Sequence, residues 1–152
     1  VAGFDDALAS KIAGFLARIG VPLTLEPAGD GLLPGLTVRD GGIVADPGRL
    51  FYPGDLLHEA GHIAVTEPAR RPTLSQVSDD PGEEMAAIAW SWAAAAELGL
   101  DPVLVFHADG YRGGSATIIE CFSTGRWFGV PLLACWGMTD EAIFPRMITW
   151  LR

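Results

Sequence analysis

The feature that most restricts the fold of this chain is a His-Glu-x-x-His pattern set inside an apolar helical run, Asp55-Leu56-Leu57-His58-Glu59-Ala60-Gly61-His62-Ile63-Ala64-Val65-Thr66. Leu56, Leu57, Ile63, Ala64 and Val65 suit a buried helix, and Asp55 follows Pro53-Gly54 as the expected N-cap. On a helix, His58 and His62 leave the same face one turn apart and can bind one metal ion as neutral ligands. Glu59 lies beside that face, where a carboxylate can take a proton from a metal-bound water and pass it to a leaving amine. Gly61 is costly in a helix interior, by roughly 1 kcal/mol against Ala, and marks close approach of another backbone. The competing reading is a histidine pair on an ordinary helix, with no metal.

A chain of 152 residues is long enough for one domain with a real core, and we read residues 1–152 as one domain. Mean hydropathy is high at +0.29, yet the longest apolar run, residues 86–96, is broken by Ser91 and flanked by Glu83, Glu84 and Glu97, which argues against a membrane span. A formal net charge of −9 with no basic cluster beyond Arg70-Arg71 argues against a nucleic-acid surface. Cys121 and Cys135 form no disulfide framework and no Cys-x-x-Cys pair, so both are expected as buried free thiols. No charged stretch followed by an apolar one opens the chain, so export is not expected and a cytoplasmic location is.

Apolar residues at Phe4, Leu8, Ile12, Phe15, Leu16 and Ile19 predict an amphipathic helix over residues 4–19, stopped by Gly20 and Pro22. Residues 21–26 read as a strand, and residues 36–39 and 43–46 flank Asp40-Gly41-Gly42 as a hairpin. Residues 67–80 hold prolines, serines and no period, and read as a loop crossing over the site and a candidate cover. A second long helix then runs to about Leu98, with Asp80 as N-cap, Pro81 at its first position and Gly99 as its stop.

That second helix bears on the metal, because a catalytic zinc takes three protein ligands and keeps one open position. The only histidines are His58, His62 and His107, and Val65 and Pro68 stand where the extended metzincin pattern has its Gly and third His. An acid is therefore expected, and Glu83 and Glu84 open the next helix. With Asp80 as N-cap, Glu83 falls at N3 and can close a capping box, which favours Glu84 for the metal while leaving Glu83 open. The alternative is that both acids only complement the helix dipole.

The stretch His58-Glu59-Ala60-Gly61-His62 followed by an acid-led helix resembles the gluzincin zinc metallopeptidases, especially small bacterial ones, over residues 55–98. The resemblance implies His58 and His62 as Zn2+ ligands, Glu59 as general base and acid, and Glu84 or Glu83 as third ligand. It also implies a zincin-like active-site helix followed by a ligand-bearing one.

Trp90 and Trp92, spaced among alanines, are expected in the core. Beyond Gly99, residues 107–114 form a glycine-rich loop holding His107, Tyr111 and Arg112, any of which can stabilise an oxyanion if the loop reaches the site; a plain surface turn is the alternative. Ser115 is a possible cap for a helix through about Ser123, residues 129–136 read as a short helix, and residues 139–151 as a final helix interrupted at Pro145. The fold expected is α+β, a small, mostly antiparallel sheet packed with several helices. The expected function is a zinc-dependent hydrolase acting on a peptide or small amide, with Glu59, Tyr111 and His107 as catalytic residues. A non-catalytic metal-binding regulatory or interaction module is the alternative. A site of this composition accepts other divalent ions as well.

Overall fold

The computed structural model describes residues 4–27 and 35–152. Among these the chain folds as α1 (Ala7–Ile19), β1 (Leu23–Leu25), β2 (Leu36–Arg39), β3 (Gly42–Ala45), α2 (Asp55–Val65), α3 (Pro81–Glu97), α4 (Ser115–Ser123) and α5 (Val130–Cys135). This is the α+β class that the sequence pattern predicts. The His-Glu helix, α2, is central: every one of its residues except His58 is buried. It packs along α3 and touches α1, β2 and β3. Ile12, Phe15 and Leu16 of α1, Ile43 of β3, Leu56, Leu57 and Ile63 of α2, and Trp90 of α3 form one core. Burying each such large side chain contributes roughly 1.5–3 kcal/mol. No helix among the described residues is long and apolar enough to cross a membrane.

Side chains at the helix ends set the registers. The Asp6 carboxylate caps α1 by accepting from the Ala9 amide at 2.8 Å, so the helix begins three residues later than the apolar period predicts. Asp80 caps α3 in the same way, accepting from the Glu83 amide at 2.9 Å, with Pro81 following as expected. Only half of the predicted capping box forms, because the Glu83 carboxylate turns to Arg70 at 2.8 Å. For α2 the expected cap is displaced: Gly54 holds that position and Asp55 is the first helical residue. The far end of α2 is closed by two arginines. Arg152 donates from its amide to the Ala64 carbonyl at 2.9 Å and from Nη1 to that of Val65 at 3.3 Å, and Arg71 donates to that of Thr66 at 3.4 Å. Cations at this end also favour the helix dipole.

Gly61 is the point of contact between α2 and α3. A Cβ built there would lie 2.9 Å from the Ala87 carbonyl oxygen and 3.2 Å from the Ser91 hydroxyl. The side-chain hydroxyl of Ser91 bridges the helices, donating to the carbonyls of Ala87 (2.8 Å) and Leu57 (3.3 Å). The close approach expected from this glycine is thus present, and alanines on the facing side of α3 permit it.

The sheet differs from expectation. Its order is β1-β3-β2, with β2 antiparallel to β3 as the hairpin predicts but β1 parallel to β3, so the sheet is mixed rather than mostly antiparallel. All four residues of β3 are buried, which fits its central place and its unbroken small and apolar sequence. The final predicted helix is absent. Residues 139–151 turn back on themselves, with a bridge between Thr139 and Met147, and the Thr139 hydroxyl donates to the Arg146 carbonyl at 2.6 Å. Proline at 145 has no amide to donate and disfavours a helical residue before it. Ser115 is not the cap of α4 but its first residue, after Gly114. Cys135 is exposed and Cys121 half-buried, both free thiols, where burial was expected.

The loop over residues 67–80, expected as a cover, is anchored elsewhere. It holds a single 3-10 turn, Arg71–Thr73, and is tied to the β2–β3 turn by the Gly41 amide donating to Leu74 at 2.8 Å and the Asp40 amide donating to the Ser75 hydroxyl at 3.1 Å. The segment lying against His58 is residues 107–114, through Tyr111.

Candidate metal centre

The structure brings His58, His62 and Glu84 together. One ligand atom from each lies within 4.8 Å of the others, and His62 Nε2 meets Glu84 Oε2 at 2.9 Å. The imidazole rings of His58 and His62 are 5.2 Å apart, as expected for one turn of α2. Glu84 arrives from the first turn of α3, whose approach Gly61 sets. Two imidazoles and one carboxylate are a donor set that can hold a divalent metal ion. Donors of a tetrahedral zinc stand about 3.3 Å apart, so small side-chain rotations bring the three atoms to that spacing. Glu83 does not join this group, since its carboxylate is held by Arg70. Successive helical residues point about 100° apart, and the Asp80 cap therefore turns Glu84 inward and Glu83 outward.

Burial shapes the electrostatics. It pulls the His58 imidazole down to about 4, aided by the neighbouring His62 and opposed by Glu84, so His58 is neutral and able to offer a lone pair at pH 7. Glu84 is held below the ordinary carboxylate range, first by its hydrogen bond with His62, and Arg112 adds to the effect. The carboxyl of Glu59 is pushed up by burial, with its neighbours Asp55 and Glu84 adding and His62 opposing. A carboxylate that has lost much of its hydration binds a proton more readily, which suits proton transfer.

The loop over residues 107–114 meets the N-terminal turn of α2. His107 Nε2 lies 2.7 Å from Asp55 Oδ1, both side chains nearly buried, and the His107 ring stacks on Tyr52 at 3.7 Å. Burial raises the Asp55 carboxyl despite this bond. The Tyr52 hydroxyl donates to Asp109, closing the loop from outside. Tyr111 packs its ring on His58 at 4.5 Å, between His58 and Phe106. Its hydroxyl is sealed from solvent beside Ser91 without completing a hydrogen bond, and burial pushes it far up. The Nδ1 of His107 is likewise buried and unpartnered. In this conformation neither polar atom is offered to a substrate, so the expected oxyanion role has no geometric support at Tyr111 or His107. Tyr111, Arg112 and Gly113 are all left-handed, with φ of 53°, 53° and 82°. The two non-glycine residues cost of order 1 kcal/mol or more each, strain of the kind that gathers at functional sites.

No family model, curated protein or solved structure matches the chain. The sequence pattern placed Asp55 only as a cap, and its pairing with His107, 52 residues away, was not anticipated. One signal was available: Asp55 precedes His58 by three residues and so shares its helix face.

Proposed function

We propose that this chain is a zinc-dependent hydrolase of the metallopeptidase type, related in its site to the gluzincins and acting on a peptide or small amide bond. The observation that carries the reading is the meeting of Glu84 with His62 and His58 across the α2–α3 contact, with the Glu59 carboxyl buried next to them. His58, His62 and Glu84 would hold the ion, which would supply Lewis-acid polarisation and a water acidic enough to be deprotonated at neutral pH. Glu59 accepts the proton and returns it to the leaving amine. Asp55 and His107 fix the first turn of α2, and Tyr111 backs His58. The free thiols of Cys121 and Cys135 fit a reducing compartment such as the cytoplasm.

A second reading, a metal-binding regulatory module, draws on one observation: His107 Nδ1 and the Tyr111 hydroxyl are both closed off. Elemental analysis beside a His58→Ala, His62→Ala double variant, followed by a peptide screen with Glu59→Gln, separates the two. The hydrolase predicts about one zinc per chain, lost in the double variant, and turnover abolished in Glu59→Gln with zinc retained. The module predicts zinc without turnover in either form. No zinc in the wild type, even when supplied, refutes both.

A further inference from the structure

Residues 107–114 run between two fixed points, Phe106 in the core and the buried Ser115 that opens α4. Among the described residues, the backbone hydrogen bonds of this segment stay within it or run on into α4: Gly110 donates to His107, Gly113 to Gly110, Gly114 to Tyr111, and Ile118 to Gly114. Side chains fasten it to α2 and to the loop before α2. His107 Nε2 meets the Asp55 carboxylate at 2.7 Å, Tyr52 stacks on the His107 ring and donates to Asp109, and the Tyr111 ring lies 4.5 Å from that of His58. Closure is also opposed. Tyr111 and Arg112 are both left-handed at φ 53°, and the Tyr111 hydroxyl is sealed from solvent without completing a hydrogen bond. Lifting the segment relieves both, since the hydroxyl then meets water and the backbone relaxes. Contacts and strain set against each other in this way favour a segment that opens locally while the helices beneath it stay folded.

We propose that residues 107–114 are a latched strap: Tyr52 and Asp55 hold it closed, Tyr111 then pins the His58 ring, and an ion bound at the centre leaves only when the strap lifts. His58 is the one residue of α2 that is not buried, so a neighbour from outside the helix pair can hold or free its ring. An imidazole must turn to leave its ion, and His58 cannot turn while Tyr111 lies against it. Glu84 is partly exposed, so water and a chelator would reach the centre without the strap moving. What the strap governs is whether His58 lets go. The inference rests on the metal-site reading, and the experiment keeps the two apart.

Two hydroxyl deletions push the strap in opposite directions. Tyr52→Phe keeps the stack on His107 and removes the bond to Asp109, which favours opening. Tyr111→Phe keeps the ring on His58 and removes the unpaired hydroxyl, which favours closure. Amide hydrogen exchange of the metal-free proteins reads the strap without any ion. Zinc loss from the loaded proteins into excess EDTA, at concentrations where the rate no longer depends on EDTA, reads the lock. Residues 107–114 are expected to exchange faster than α2 and α3. Tyr52→Phe speeds both this exchange and zinc loss by about fivefold, the weight of one hydrogen bond, and Tyr111→Phe slows both. Equal exchange in the strap and in α2, two substitutions acting in the same direction, or zinc loss that ignores a shifted strap overturns the inference while leaving the metal site intact. A wild type that takes up no zinc even when it is supplied refutes the metal-site reading instead, and the lock with it.

Discussion

Replacing Gly61 by alanine tests whether helix contact or helix propensity governs the centre. In an isolated helix this change is stabilising by roughly 1 kcal/mol. Here the new Cβ would stand 2.9 Å from the Ala87 carbonyl oxygen, 3.2 Å from the Ser91 hydroxyl and 3.3 Å from the Trp90 ring. Ordinary contact begins near 3.4 Å, so α3 must retreat by about half an ångström, and its backbone oxygen cannot rotate away. Overpacking of this kind costs about 1–3 kcal/mol, which outweighs the propensity gain and leaves a net loss of about 1 kcal/mol. For a domain of this size the midpoint of thermal unfolding falls by about 2–4 °C. The same retreat carries Glu84 away from His62, now 2.9 Å apart, and zinc affinity falls by about tenfold. Thermal unfolding of the metal-free protein and competitive zinc titration read the two effects separately. A Gly61→Ala protein that is more stable by the full propensity gain, with zinc affinity unchanged, refutes the argument that the α2–α3 approach builds the site.

Three further outcomes follow from the same geometry. Asp80→Ala removes the cap on the Glu83 amide and costs about 1 kcal/mol in denaturant unfolding, with weaker zinc binding as the first turn of α3 frays; unchanged affinity would show that Glu84 is positioned without the cap. His107→Ala leaves the buried Asp55 carboxylate unpartnered and destabilises by about 1–3 kcal/mol, whereas adding Asp55→Asn recovers part of the loss, and simple additivity in the double-mutant cycle would contradict the pairing. The folded protein holds His58 at about 4, below its ordinary 6.5, so the unfolded chain binds more protons between those values. Metal-free protein therefore loses this contribution as pH falls from about 6.5 toward 4, while Glu59, raised by burial, acts in the opposite sense just above its ordinary value; the difference in stability between wild type and His58→Gln as a function of pH isolates the histidine, and a flat difference would refute the assignment.

The local parts of this centre were legible in the sequence because they depend on chain geometry alone. Residues four apart share a helix face, so His58 and His62 converge wherever their helix packs. The cap of α3, the hairpin turn and the glycine at the helix contact are likewise local, and they appear close to where the pattern predicts. Trp90 is in the core, packed against Phe15 and Trp150, as its helical spacing among alanines predicts.

What required the tertiary structure is whatever joins distant segments. The choice of Glu84 over Glu83 turns on one residue of register, about 100° of rotation, and on Arg70 being at hand to take the other carboxylate. The parallel pairing of β1 with β3 leaves no mark in either strand, since alternation says which face is buried and not which neighbour lies beside it. The helix expected over residues 139–151 gave way to a loop whose hydrogen bonds run from Thr139 to Arg146 and from Ile148 to Met138. Asp55 read as a cap because its partner His107 is 52 residues on, and the glycine-rich loop was open to two readings, oxyanion donors or a plain turn, because periodicity says nothing of where a loop lands. Periodicity and caps act within a few residues of the chain and so are written in it. The placing of Tyr111 beside His58 is decided by packing that closes only when the whole chain has folded.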